Sequence, residues 1–452
     1  MKMLHKFIFK TGYFLKRPSV IRYYNNFQKT QWQSFEYLKN QQEKQLRKLI
    51  YFAYQNVPYY TKLFDKLKLK PGDINIIEDL EKLPVLTKGI IKKNWRDFIP
   101  KNISNHKHMN NSTGGSTGTP LKYRMSIEDY EKGIALLFRG WGYAGYKLGD
   151  KVAIIAGSSL IPTAKSDLKK KIQEFFLNQR YYSSFDMRKK NLFEYFCDIN
   201  KWKPDFIRGY ASSIYLFAKF IQNNNLKLEF QPKAIFTTAE KLFDKQRYLI
   251  EQVFDTKVFD NYGLNDGGIS AYECEAHNGL HIDTERAILE VIDNNGKQII
   301  NKEGKILATS LYNYALPFIR YDTGDLGVVS GLECACGRKM PLLKKIVGRI
   351  SDFIITPSGL RIHGEFFTHI FWEIKNVSQF QVIQNKINKI LIKIVPDNWQ
   401  TKKDIDINKI KNIIAQKDKN LKVEFQFVSE KQLEYTKAGK YKFIINNLQE
   451  NQ

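Results

Sequence analysis

Apolar and aromatic residues recur at helical spacing from residue 31 to residue 66, with one interruption at Asn56-Val57-Pro58. Proline drives the residue before it out of helical geometry, so one helix ends there and Tyr59-Tyr60 opens the next. Asp79 to Asp97 reads as a polar helical region broken at Leu83-Pro84. Ile127 to Trp141 repeats a 3.6-residue pattern through Tyr130, Ile134, Leu137, Phe138 and Trp141. A different rhythm then takes over. Lys151–Ala156, Asp205–Tyr210 and Lys233–Thr238 are short apolar runs, each closed by small or polar residues and followed by a helical stretch. Strands alternating with helices in this way predict an α/β domain with parallel pairing. Ligands of such sheets gather at the carboxyl ends of the strands, where Ser158, Tyr210 and Thr238 fall.

From Gly279 the pattern shortens again. His281–Asp283, Ala287–Ile292, Lys305–Thr309 and Gly327–Val329 alternate apolar and polar positions and are separated by Asn-Asn-Gly and Glu-Gly turns. They predict a small antiparallel β subdomain or barrel over 279–347. Beyond Gly348-Arg-Ile-Ser-Asp352, strands are expected at Gln379–Ile383, Lys389–Ile394 and Val423–Val428, and a helix at Ile407–Gln416. The expected fold class is α/β: a large N-terminal domain, 1–348, of parallel α/β sheets with the antiparallel subdomain, and an α+β C-terminal domain, 349–452.

A chain of 452 residues with 43% hydrophobic and 14% aromatic residues is a folded protein with room for two or three cores, not a disordered one. The formal charge of +26 raises a nucleic acid, a membrane surface or another polyanion as partner. The lysines are spread and form no long basic run, so compositional drift is the preferred reading and no nucleic-acid partner is expected. Four cysteines in a chain of this length make no disulfide framework. Residues 1–16 lack a signal-peptide apolar core, and no apolar run reaches the ~18 residues of a spanning helix. The chain therefore reads as cytoplasmic, with peripheral membrane contact by residues 1–24 left open beside a docked N-terminal helix.

Asn111–Pro120 sets three glycines among hydroxyl residues just ahead of Lys122 and Arg124. Such a loop lets backbone N–H groups approach a polyphosphate, but Gly118-Thr119-Pro120 is not the Gly-Lys-Ser/Thr ending of a Walker A loop. By composition alone, a phosphate loop and a flexible linker are equally good readings. Five further stretches accompany it: Thr237–Leu242, Asn261–Asp266, Arg320–Asp325, Gly348–Asp352 and Thr436–Lys440. In order and spacing the set resembles the adenylate-forming acyl-AMP ligase superfamily, and more narrowly its phenylacetate–CoA ligase and CapK-like capsular-polysaccharide branch. Asn56–Tyr60, Leu83–Lys88 and Asn278–His281 are supporting phrases, and the resemblance runs from about residue 40 to residue 445.

The resemblance implies an ATP-dependent ligase with a mobile C-terminal domain. It would convert a small carboxylic acid to an acyl-adenylate and pass the acyl group to CoA or to an amine, sugar or other hydroxyl acceptor. Thr113, Gly114, Gly115, Ser116, Thr117 and Gly118 would hold the leaving phosphates of ATP. Thr238, Ala239, Glu240, Asn261, Tyr262 and Gly263 would form the adenine slot, with Tyr262 stacking. Asp266 would help to bind Mg²⁺, against a bland reading as a helix N-cap. Asp325 would accept the ribose hydroxyls, with Arg349 beside the ribose and phosphates. Superfamily members carry an acidic hinge two residues after that arginine, whereas here Ser351 stands there with Asp352 following. Lys440 would address the reacting carboxylate and the α-phosphate, with Lys437 as its near competitor. The charge supports an alternative from another class, a degenerate ligase fold serving as a nucleic-acid or membrane-associated binding protein.

Two tight ligand pairs stand apart from the nucleotide motifs. Cys274-x-x-His277 and Cys334-x-Cys336 have the short spacings of a structural Zn²⁺ site, with scattered cysteines as the alternative. Cys197, beside Leu192, Phe193 and Phe196, is expected in the core.

Overall fold

The computed structural model describes residues 2–113, 121–157, 160, 167–185, 187–349, 353–372, 374–435 and 441–448. It divides into two compact units, the first made of Met1–Thr113 and Leu121–Val347 and the second beginning at Gly348.

Local chemistry sets the helices of the first unit. The helix Phe35–Asn56 is capped by Ser34, whose hydroxyl accepts from the Tyr37 N–H at 3.2 Å, and Pro58 opens the next helix, Pro58–Leu67. The strands, in chain order, are β1 His108–Ser112, β2 Lys122–Ser126, β3 Val152–Ala156, β4 Gln179–Ser183, β5 Phe206–Tyr210, β6 Ala234–Thr238 and β7 Val258–Leu264. They continue with β8 Ile269–Glu273, β9 Leu280–Ile282, β10 Ala287–Ile292, β11 Gly304–Ser310, β12 Tyr321–Ser330 and β13 Leu342–Arg349. β1 and β2 form a separate antiparallel hairpin, while the rest make one eleven-stranded sheet in the order β10-β11-β12-β13-β9-β8-β7-β6-β5-β3-β4.

Parallel pairing holds from β4 through β3, β5 and β6 to β7. The chain then reverses between β7 and β8, where Gly268 has φ +71° and a Cβ on Gly267 would lie 2.6 Å from the Ala308 Cβ. That tight turn makes β8 antiparallel to β7 and carries the remaining strands along the same sheet. The antiparallel strands expected as a subdomain over 279–347 are therefore an extension of the parallel sheet and do not close into a sheet or barrel of their own. Short alternating strands foretell antiparallel pairing, not which sheet they join.

Period-two alternation gives the parallel strands two apolar faces. Val152, Ile154, Phe206, Tyr210 and Phe236 pack with Trp141, Phe138 and Leu136 of the helix Ile127–Gly142. Ala153, Ile155, Ile207 and Ile235 pack on the opposite face with Phe217, Ile221 and Ile250. Cys197, expected inside, is exposed on the helix Lys189–Trp202, whose inward positions are Leu192, Phe196 and Ile199.

The second unit has its own core. β14 Phe353–Ile355 pairs with β15 Arg361–His363, and β16 Val377–Lys386, β17 Lys389–Pro396, β18 Lys422–Phe427 and β19 Ile444–Asn446 form a sheet in the order β18-β17-β16-β19. Phe367, Val382, Ile392, Ile410 and Ile414 fill the space between this sheet and the helices Gly364–Trp372 and Ile407–Ala415. No helix among the described residues is long and apolar enough to cross a membrane.

Candidate active site

The hairpin β1–β2 fixes the two ends of the glycine-rich loop. Its ladder closes at Ser112 opposite Lys122. Beyond it the Thr113 N–H donates to the Leu121 carbonyl at 2.9 Å, and the Leu121 N–H donates to Thr113 Oγ1 at 2.9 Å. Thr113 is thus a clamp at the loop's base. Gly114, Gly115, Ser116, Thr117 and Gly118 lie outside the described residues.

In-register parallel pairing places Tyr210 and Thr238, at the carboxyl ends of β5 and β6, side by side with Asn261 in the middle of β7. After Thr238 the backbone enters the left-handed region at Ala239, φ +69°, a conformation that costs a non-glycine residue on the order of 1–3 kcal/mol and is concentrated at ligand sites. Glu240 then turns back and accepts from the Ser212 N–H at 2.9 Å, at the N-terminus of the helix Ala211–Asn223. Its carboxylate ties the β6 end to the β5 end and suits the positive end of that helix. Asn261 is buried, and among the described residues its Oδ1 has no hydrogen-bond partner. An orphaned carbonyl beside a strained backbone fits a ligand that brings a donor, such as the amino group of adenine. Gly263 lies exposed on the same strand.

Two buried carboxylates lie on the other side of β7, each held by a tyrosine from another strand. Tyr262 Oη donates to Asp325 Oδ2 at 2.8 Å, and Tyr321 Oη donates to Asp266 Oδ2 at 2.7 Å. Asp266 and Asp325 are both buried. Burial, and next the Asp266 carboxylate, raise the Tyr321 hydroxyl far above its ordinary value, so it stays protonated and donates. Asp266 lies in the β7–β8 turn and no helix starts there, which removes the N-cap reading. The Arg320-Tyr-Asp-Thr-Gly-Asp motif divides its labour. Arg320 is buried in the fold, donating from Nε to Glu290 at 3.1 Å and from its other nitrogens to the carbonyls of Leu83 at 2.7 Å and Gly296 at 2.8 Å. Tyr321 and Asp325 are instead bonded to Asp266 and Tyr262. Arg349 is the last residue of β13, while Ser351, Asp352, Lys437 and Lys440 lie outside the described residues.

The cysteine cluster forms with a different histidine from the one the spacing suggested. Ligand atoms of Cys274, His281, Cys334 and Cys336 all lie within 4.8 Å of one another. Cys274 Sγ and Cys334 Sγ are 3.6 Å apart, and Cys336 Sγ is 3.2 Å from His281 Nε2. Tetrahedral Zn²⁺ with bonds of about 2.0–2.3 Å sets its ligands roughly 3.3–3.8 Å apart, so three sulfurs and one nitrogen gathered this closely suit the ion. Burial, with Arg338 and Arg139 adding to it, lowers His281 to about 4 and leaves a neutral imidazole able to ligate. Burial raises the Cys274 and Cys334 thiols, so binding a cation there would release protons. His277 instead has Nδ1 3.2 Å from Glu273 Oε1 and its ring against Phe259. The Cys274-x-x-His277 spacing misled because β8 ends at Glu273 and the chain turns before His277, whereas β9 returns His281 beside the sulfurs.

Known proteins resemble this chain in sequence and in fold. Residues 354–447 match the CapK C-terminal domain family. Over 416 residues the chain is 28% identical to protein CapK of Staphylococcus aureus, covering 90% of this chain and 89% of that one. Over 353 residues it is 27% identical to the phenylacetate-coenzyme A ligase of Pseudomonas putida, covering 71% and 73% respectively. In sequence the chain is similar to CapK and to the phenylacetate–CoA ligases over most of its length. Its fold is also that of 2-hydroxyisobutyryl-CoA ligase, solved in the postadenylation state in complex with R3-HIB-AMP, with a TM-score of 0.71 at 16% identity over 92% of this chain and 91% of that one.

Three residues were not singled out by the sequence motifs. Tyr321 was visible inside the Arg320–Asp325 motif but carried no assigned role. His281 lay in a strand pattern and Arg208 in the middle of an apolar run, and no spacing rule singles out either.

Proposed function

We propose that this chain activates a small carboxylic acid with ATP to an acyl-adenylate and then transfers the acyl group to CoA or to an amine or hydroxyl acceptor. The observation that carries the reading is the pair of buried carboxylates, Asp266 and Asp325, each held by a tyrosine hydroxyl. Asp325 takes the ribose hydroxyls, since a carboxylate offers acceptors only and a vicinal diol offers donors. Asn261 Oδ1 takes the adenine amino group. Asp266 is the carboxylate for Mg²⁺, which shields the phosphates as charge develops on them. Carboxylates kept buried and oriented at both motif positions favour a working site over the binding-protein alternative.

In the first half-reaction a carboxylate oxygen of the acid bonds to the α-phosphorus and the bond to the β-phosphate oxygen breaks, releasing pyrophosphate. In the second, a thiol, amine or hydroxyl of the acceptor attacks the acyl carbon and AMP leaves. Lys440 is proposed as the cation that neutralises charge at the α-phosphate in the first step, and the loop from Thr113 to Gly118 as the holder of the leaving group. Arg349 is assigned to the ribose and phosphates. Cys274, His281, Cys334 and Cys336 would hold a structural Zn²⁺, which would cross-link β8, β9 and the segment before β13. The CapK resemblance suggests surface-polysaccharide biosynthesis as the setting and the cytoplasm as the place.

The test is acid-dependent pyrophosphate release from Mg-ATP across aliphatic and aromatic acids, each with and without CoA or an amine. Release with at least one acid, reduced at least about 100-fold by Asp325→Ala, is expected. Silence with every acid would sink the reading.

A further inference from the structure

Arg208 sits in the middle of β5, and among the described residues no carboxylate pairs with it. Its buried Nε has no hydrogen-bond partner among them either. The guanidinium lies 4.9 Å from the centre of the Trp141 ring, and its electrostatic neighbours are Tyr272, Tyr181 and Tyr210. Burial lowers its pKa from the ordinary value, as expected of a cation without a counter-charge. Although deep among these rings, the residue keeps part of its surface accessible.

Register shows where Arg208 lies relative to the strand ends. Arg208 pairs with Phe236, which pairs with Phe259, and the next same-face row toward the strand ends is Tyr210, Thr238 and Asn261. Arg208 is therefore two residues, about 7 Å, beneath the proposed adenylate row on the same face of the sheet. The wall above it is aromatic. Tyr272 reaches this face because Gly140 leaves it room: a Cβ there would stand 2.2 Å from the Tyr272 ring. Elsewhere in this unit buried arginines are neutralised, Arg286 by Asp129 at 2.7 Å and Arg320 by Glu290 at 3.1 Å. A buried cation is retained in a fold when something supplies the missing charge.

We propose that Arg208 binds a second anionic group on the acid being activated, so that the preferred substrates are dicarboxylic acids. The far carboxylate would accept two parallel N–H bonds from the guanidinium, a match that a planar fork makes better than an ammonium. Trp141, Tyr181, Tyr210 and Tyr272 line the spacer between the two carboxylates, which the strand rise sets near the length of a short chain or one aromatic ring. The inference rests on the acid-activating reading of the strand ends and names its substrate class.

Two matched pairs of acids test it: adipate against hexanoate, and terephthalate against 4-methylbenzoate. Pyrophosphate release from Mg-ATP gives kcat/KM for each, and calorimetric titration without ATP gives binding. The wild type is expected to favour at least one diacid over its partner about tenfold or more. Arg208→Met should erase that preference, and Arg208→Lys should restore part of it. Equal or reversed preference in the wild type for both pairs, or an unchanged preference in Arg208→Met, overturns the proposal. If no acid releases pyrophosphate, the adenylation reading fails by itself and titration decides this one. Arg208-dependent diacid binding then upholds it, and no diacid binding by the wild type overturns it. Should Arg208→Met not fold, as judged by circular dichroism, the wild-type pairs still decide.

Discussion

Arg320 and Arg208 are both set among apolar residues of one sheet, yet their surroundings are opposite. Arg320 is wired at every nitrogen that can be followed, to Glu290 and to the carbonyls of Leu83 and Gly296. Arg208 meets aromatic rings and no carboxylate among the described residues. The first joins β12 to β10 and to the N-terminal segment, so its charge is consumed by the fold. The second keeps its charge available. Buried polarity thus divides into groups the protein satisfies and groups it leaves for a ligand, and the same division separates Tyr321–Asp266, already bonded, from Asn261 Oδ1, which is not.

Substitutions can break or sharpen that contrast. The largest effect is expected from Arg320→Met, which strands Glu290 and two carbonyls; urea unfolding should show a loss of about 3–5 kcal/mol. A change below about 1 kcal/mol would mean that these bonds are not what holds the segment. Next is metal removal. If Cys274, His281, Cys334 and Cys336 hold Zn²⁺, purified protein carries about one ion per chain by elemental analysis, and chelation lowers the melting temperature. Cys334→Ser should lose the ion while His277→Ala keeps it; equal loss in both would restore His277 as a ligand.

Asp260 offers a smaller, pH-dependent effect. Burial pushes its carboxyl up to about 7, with Glu273 adding to the shift while the Thr237 hydroxyl, 2.7 Å away, and Arg247 oppose it. The folded state therefore holds this proton more tightly than the unfolded chain. Its contribution to stability is complete below the ordinary carboxyl value of 3.8 and is lost as pH rises to about 7. Wild-type protein should lose up to about 1.4 kcal/mol per pH unit across that window relative to Asp260→Asn. Parallel stability curves for the two proteins would show that Asp260 is ionised in the fold throughout. The smallest effect on stability belongs to Arg208→Met, expected within about 1 kcal/mol of wild type because it removes a cation without stranding a partner. A loss as large as that of Arg320→Met would assign Arg208 to the fold.

Much of this arrangement was legible in the sequence. The period of three to four residues in 127–141 and the short apolar runs at 151–156, 205–210 and 233–238 correspond to the helix Ile127–Gly142 and to β3, β5 and β6. Those signals are local, because a helix or strand must show an apolar face to its neighbours. What failed was non-local. Joining β8 to β13 with the parallel strands depends on one glycine turn after Asp266, and exchanging His277 for His281 depends on where β9 returns. The carboxylates Asp266 and Asp325 could be named from their motifs, but their tyrosine partners come from strands far apart in the chain. Arg208 was hidden for a related reason: an arginine inside an apolar run looks like an interruption until its neighbours are seen to lack a counter-charge.

The central claim is that the strand-end site makes an acyl-adenylate, and acid-dependent exchange of labelled pyrophosphate into ATP measures that step without needing the acceptor. The account predicts exchange that requires both Mg²⁺ and a carboxylic acid, falls at least about 100-fold in Asp266→Ala, and survives in His277→Ala. Exchange that proceeds equally without acid, or is untouched by Asp266→Ala, would contradict it.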